Sequence, residues 1–139
     1  MLRGKLIHPQ ILEALGRAGH GSKILIADGN YPFSTATNPY ATQVYLNFSP
    51  GLVNVTDVLR VLVEAIPVEA ASVMTKEGAE PAIFKEFREL LPAGMALDGL
   101  ERFAFYSAAK DEATALVIAT GEERVYANIL LTIGVVQKK

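Results

Sequence analysis

Cysteine is absent from this chain of 139 residues. That removes disulfides, thiolate nucleophiles and cysteine-ligated zinc, and it agrees with a reducing, cytoplasmic setting. Histidine is scarce: His8 and His20 are the only two, twelve residues apart. Without thiols beside them they make a poor metal site, so no metal or other cofactor is expected. Long apolar runs are missing as well. None approaches the roughly 18 residues of a membrane span. Leu6 to Leu15 is broken by His8, Pro9, Gln10 and Glu13, which leaves no signal-peptide core there. No membrane partner is expected. Positive charge is unclustered: 13 Lys and Arg are scattered among 15 Asp and Glu, for a formal net charge of −2. No basic stripe can follow a phosphate backbone, which argues against nucleic acid. Phosphate-loop, dinucleotide and nucleophile-elbow signatures are absent too. Gly16, Gly19 and Gly21 reverse the dinucleotide spacing and close a helix where the fingerprint would open one.

What remains is a chain with half its residues apolar and 20% charged. Its length fits one domain over residues 1–139, and a domain of this size buries roughly 68–70% of its unfolded surface. His8-Pro9 opens a first helix with Ile11, Leu12, Leu15 and Ala18 inward and Gly19 as its stop. Ile24 to Ala27 is a short apolar run suited to a central strand buried on both faces. Residues 29–42 form a long irregular loop whose aromatics, Tyr31, Phe33 and Tyr40, either pin it to the body or wall a pocket. Gln43 to Phe48 alternates as a strand, and Ser49-Pro50-Gly51 turns the chain. Helices are expected over Thr56–Ile66, Pro81–Leu91 and Arg102 to about Asp111. Further strands are expected over Val68–Met74, Leu97–Leu100, Ala113–Ala119 and Asn128–Val136. This alternation reads as α/β: a three-layer α/β/α single domain around a largely parallel or mixed sheet.

The candidate chemistry gathers around Ala18 to Asn30. His20 stands in a turn between Gly19 and Gly21, and Asp28 ends the apolar strand. Imidazole titrates near neutrality and can move a proton at cellular pH. Two readings stand for His20: an acid–base group, or a cap on the preceding helix favoured by its dipole. Two stand for Asp28 also. It either meets a ligand outside the carboxyl end of its strand or closes an Asx-turn on Asn30. Arg102 begins a helix, where the dipole disfavours a cation. It is held there for a ligand or by Glu101 or Asp98. Tyr126 and Asn128, two apart, can point to one face. Histidine, aspartate, arginine, tyrosine and asparagine together suit a polyhydroxylated ligand, without the concentrated positive charge a phosphorylated one would want.

Gly19-His20-Gly21, the apolar strand into Asp28, Arg102-Phe103-Ala104-Phe105-Tyr106, Thr120-Gly121-Glu122 and Tyr126-Ala127-Asn128-Ile129-Leu130-Leu131 occur in an order and spacing that resemble the D-ribose pyranase / L-fucose mutarotase family. The resemblance spans nearly the whole chain. It implies that His20 is the proton donor and that Asp28, Arg102 and the Tyr126, Ala127, Asn128 segment bind a monosaccharide. It also implies a ring-like homodecamer with sites between neighbouring subunits. The Arg-Phe-Ala-Phe-Tyr run is more like the fucose mutarotase branch, since the pyranase branch tends to have histidine at Arg102. The loop from Asn30 to Tyr40 matches neither branch closely.

The expected reaction opens a cyclic hemiacetal and recloses it, with His20 protonating the ring oxygen and Tyr126 carrying the second proton. Asp28 is expected to accept from sugar hydroxyls or orient the imidazole, while Arg102 and Asn128 fix the hydroxyl pattern. Eight steps separate His20 from Asp28, about 26 Å if extended. Either the glycine turn folds His20 back or two chains share the site. Competing with catalysis are a sugar-binding or transport-accessory protein on the same scaffold, and an oligomeric domain whose polar residues only cap its elements.

Overall fold

A computed structural model describes residues 1–138. Four helices, α1 (Pro9–Arg17), α2 (Val55–Ala65), α3 (Ile83–Leu90) and α4 (Arg102–Lys110), are interleaved with six strands. These are β1 (Lys23–Ala27), β2 (Thr42–Tyr45), β3 (Val68–Met74), β4 (Leu97–Leu100), β5 (Thr114–Ala119) and β6 (Ile129–Ile133). They form one sheet in the order β2-β5-β1-β6-β3-β4. β1 is parallel to β5, β5 to β2, and β3 to β4, whereas β6 is antiparallel to both β1 and β3. Five strands therefore run one way and β6 alone runs against them. The carboxyl ends of the five and the start of β6 share one edge of the sheet.

β1 is the centre of this arrangement because its side chains supply both cores. Ile24 and Ile26 face α1, α2 and α3 through Ile11, Leu59, Leu62 and Phe87. Leu25 and Ala27 face the other layer, made by Phe105 and Ala109 of α4 with Tyr31, Phe33 and Ala36 of the long loop. Period-two alternation thus loads both faces of one strand, as a buried parallel strand requires.

Local chemistry sets the helix starts. His8 Nδ1 accepts from the Ile11 N–H at 3.3 Å ahead of Pro9, so this histidine is a cap. Glu101 caps α4, accepting from the Phe103 and Ala104 N–H groups at 3.0 and 2.7 Å. It therefore does not hold Arg102.

Two strand readings need shortening. β2 stops at Tyr45, not Phe48, because its partner β5 ends at Ala119, opposite Tyr45. The chain then turns at Ser49 and Leu52 and leaves Phe48 87% exposed. β6 begins at Ile129 and stops at Ile133, not Val136, because neither β1 nor β3 extends further beside it. α1 likewise ends at Arg17, with the extended Ala18 as its cap, before Gly19 is reached. Among the described residues no helix is long and apolar enough to cross a membrane.

Gly16 lies within α1 with nothing within 4 Å of a Cβ placed there. Gly16→Ala is expected to stabilise the protein by about 0.5–1 kcal/mol by restricting the unfolded chain and favouring helix. Denaturant midpoints of the two proteins measure this, and an unchanged or lower midpoint would refute it.

Candidate active site

Asp28 comes directly after the last residue of β1, with its side chain turned into the gap between the 29–31 turn and the start of β6. It is 5% exposed. Its Oδ1 accepts from the Asn30 N–H at 2.9 Å, which is the Asx-turn, one of its two expected roles. Its Oδ2 accepts from the Ala127 N–H at 3.2 Å and from Asn128 Nδ2 at 3.1 Å. Asn128 Oδ1 accepts in return from the Asp28 N–H at 2.7 Å. Burial raises the Asp28 pKa above the usual carboxylate value, and these hydrogen bonds oppose the rise. The Tyr31 N–H adds to their effect. The second N–H of Asn128 Nδ2 has no partner among the described residues. The turn leaves Asp28 on the wall of a cavity.

A cavity of about 250 Å³ opens beside this pair, lined by Asp28, Asn30, Tyr31, Met74, Arg102, Tyr106, Val125, Tyr126 and Asn128. It lies at the edge where the five parallel strands end, the usual ligand position in open α/β sheets. Its size is near the low end of the range for small-molecule sites, roughly 300–1,000 Å³. Four of the sequence candidates, Asp28, Arg102, Tyr126 and Asn128, therefore meet in one place. Ala127 joins them through its backbone, and its N–H is occupied by Asp28.

Aromatic packing shapes the wall. The Arg102 guanidinium carbon lies 5.2 Å from the Phe103 ring centre and 5.8 Å from that of Tyr106. No carboxylate is paired with Arg102 among the described residues, and Arg102 lines the cavity. Tyr106 meets Tyr31 edge-on, with centroids 5.4 Å apart. Tyr31 donates its hydroxyl to the Ala36 carbonyl at 2.7 Å, and burial pushes that phenol's pKa well above its ordinary value. Tyr31 thus both pins the long loop and walls the cavity, so the two roles open to the loop aromatics are compatible. Tyr40, at 95% exposed, does neither. Tyr126 has φ 59°, in the left-handed region. A non-glycine residue there costs of order 1–3 kcal/mol and persists only when its surroundings fix it.

His20 is elsewhere. It stands before β1, at the opposite edge of the sheet, where the Gly21 N–H donates to the Ile133 carbonyl at 2.9 Å. The five residues of β1 span roughly 17 Å, and the glycine turn does not fold His20 back into the cavity. Its imidazole is 60% exposed, and Nε2 lies 3.0 and 3.3 Å from the two carboxylate oxygens of Glu69. Neither the helix cap nor orientation by Asp28 of the same chain describes it. Sequence reasoning misses Glu69. It is 49 residues away in sequence and reaches His20 only because β6 places β3 two strands from β1.

The three-layer α/β domain thus gathers a buried acid and amide, a half-buried phenol and an exposed guanidinium around one small cavity, the kind of site that suits a small-molecule binding protein or enzyme. Residues 1–136 match the RbsD / FucU transport protein family, and the chain belongs to it. A fucose mutarotase of Mus musculus is 33% identical, the match covering 94% of this chain and 90% of that one. A D-ribose pyranase of Variovorax paradoxus (strain S110) is 29% identical, covering 97% and 98%. The crystal structure of the fucose mutarotase of Streptococcus pneumoniae in complex with L-fucose superposes with a TM-score of 0.83 at 28% identity, covering 99% of this chain and all (100%) of that one. The six-stranded mixed sheet is thus the fold of these relatives.

Proposed function

We propose that this chain is a cofactor-independent monosaccharide mutarotase that interconverts cyclic forms of a free sugar by acid–base ring opening, with an L-fucose-like sugar as its first substrate. The observation that carries the reading is the convergence of Asp28, Arg102, Tyr126 and Asn128 on one cavity. Together they offer a carboxylate, one amide N–H, a phenol and a planar guanidinium. That set matches a ring of hydroxyls. Met74 and Val125 give the cavity an apolar side that suits a methyl group, and kinship with fucose mutarotases points the same way.

Ring opening needs a proton delivered to the ring oxygen while the anomeric hydroxyl loses one. The C5–O5 hydroxyl and a C1 aldehyde result, rotation about C1–C2 comes next, and reclosure reverses the proton movements. No net redox change or covalent enzyme intermediate is involved. His20 donates to the ring oxygen and Tyr126 carries the second proton, phenol and imidazole being able to exchange both through the sugar. Asp28 accepts from a sugar hydroxyl. Arg102 and Asn128 fix the hydroxyl pattern, and Ala127, fully buried, acts through its N–H on Asp28. Glu69 holds the imidazole in place.

Because His20 and the cavity sit at opposite edges of one chain, the reading requires a second copy, whose His20 closes the open side of the cavity. A head-to-tail contact of this kind repeats around a ring, which supports a closed homo-oligomer, with the decamer implied by the resemblance as its size. The absence of cysteine fits a cytoplasmic setting.

Exchange NMR of anomeric protons, with L-fucose, D-ribose and D-galactose, tests the proposal. Enhanced exchange of one sugar is expected. Folded, assembled protein that binds a sugar yet leaves its exchange at the buffer rate would replace the mutarotase with a binding or transport-accessory protein. The family's transport description favours that second reading.

A further inference from the structure

The segment that presents Tyr126 is tied down by a cluster outside the cavity. Glu122 is only 3% exposed. Its Oε1 accepts from Arg124 Nε at 2.9 Å and from the Arg124 N–H at 3.2 Å, and its Oε2 from Arg124 Nη2 at 3.0 Å. Arg124 Nη1 reaches across to Glu86 on α3. Burial pushes Glu122 upward, but the Arg124 hydrogen bonds, with help from the Val55 N–H at the start of α2, outweigh it and hold its carboxyl below the ordinary value. All three guanidinium nitrogens of Arg124 are engaged with carboxylates, and it does not line the cavity.

Arg124 matters through the residues next to it. Two positions on, Tyr126 takes its left-handed conformation, and one residue later the Ala127 N–H is fixed on Asp28. Val125 and Tyr126 are thus suspended between two anchors, the Glu122–Arg124–Glu86 clasp on one side and Asp28 on the other. The Tyr126 ring packs against the core on the Phe105 side and lies 5.9 Å from the Lys76 ammonium, while its hydroxyl makes no hydrogen bond among the described residues. We infer that Arg124 is a positioning residue for the mutarotase reaction, holding Tyr126 in the strained backbone geometry that aims its hydroxyl at the bound sugar. The inference rests on the proposed mutarotase activity.

A double-mutant cycle with Tyr126→Phe separates positioning from general stability, since residues that act through one another fail to add. Arg124→Met is expected to slow sugar exchange about tenfold or more, in kcat rather than KM, as misplacement of a reacting group does. In the Tyr126→Phe background the same change is expected to cost less than about twofold, because the hydroxyl it positions is gone. Arg124→Lys, which can pair with one carboxylate but not fork across two, is expected to fall between. Glu86→Gln removes only the exposed outer anchor and provides the same cycle with a smaller loss, should Arg124→Met fail to assemble. Equal fold-losses in the two backgrounds, or unchanged kcat in Arg124→Met, would overturn the inference while leaving the mutarotase intact. Wild-type protein without exchange of any sugar would overturn the reaction itself, and the inference with it.

Discussion

Chains carrying His20→Ala and chains carrying Arg102→Ala, each nearly inactive alone, are expected to regain about a quarter of wild-type exchange activity when assembled together in equal amounts, given a head-to-tail site shared between copies. His20→Ala alone is expected to slow exchange by about 10²–10⁴-fold, the usual worth of a positioned acid–base group. In a mixed ring each site draws its imidazole from one chain and its cavity from the next. Half of the imidazole donors and half of the cavities are native, so roughly one site in four is complete. A site built within one chain gives no such recovery, because every chain is defective. His20 and Glu69 are both partly exposed, and Arg102 begins a capped helix, so neither substitution disturbs a core. Co-expression with two affinity tags, then exchange NMR on the doubly captured assembly, measures the recovery. Activity at the mean of the two parent variants would rule the shared site out.

How far the sequence discloses this arrangement depends on the range of the forces involved. β1 is legible because four consecutive apolar residues, Ile24 to Ala27, leave few alternatives to a buried strand. The convergence at Asp28 is also legible in part. An acid placed just after such a strand must lie at the carboxyl edge, where ligands bind in open α/β sheets. Strand lengths are not legible in the same way. Phe48 and Val136 continue an apolar pattern, yet both lie beyond the ends of their partner strands and become exposed. The direction of β6 is equally hidden, since Ile129 to Ile133 would pack alike either way up. Glu69 carries no local sign of its role, because its meeting with His20 depends on strand order alone. Tyr126 resists for a different reason: a positive φ at a tyrosine has no sequence signature and exists only because Glu122, Arg124 and Asp28 hold the chain around it.

The turn that feeds this segment leads to the second large effect. Gly121→Ala is expected to destabilise the protein by about 3 kcal/mol or more, the severe end of overpacking. A Cβ at this position would lie 2.5 Å from the Leu52 carbonyl oxygen and closer still to that of Ser49. Both are backbone atoms and cannot rotate away as a side chain would. The same contact is knitted by hydrogen bonds, Gly121 N–H to the Val53 carbonyl at 2.8 Å and Gly51 N–H to the Gly121 carbonyl at 2.6 Å. Relief therefore means parting the 49–53 turn from the 120–122 segment and losing those bonds as well. The Gly29 N–H donates to the Glu122 carbonyl at 2.9 Å, so the displacement passes directly to the turn beside Asp28 and to the Glu122–Arg124 clasp. At roughly 3–4 °C per kcal/mol for a domain of this size, the thermal midpoint should fall by about 10 °C. Gly16→Ala provides the contrast, as it adds the same methyl group to open space and should move the midpoint upward. A Gly121→Ala protein that melts with the wild type would mean that the 49–53 turn yields freely. In that case this turn is no part of what fixes Tyr126 over the cavity.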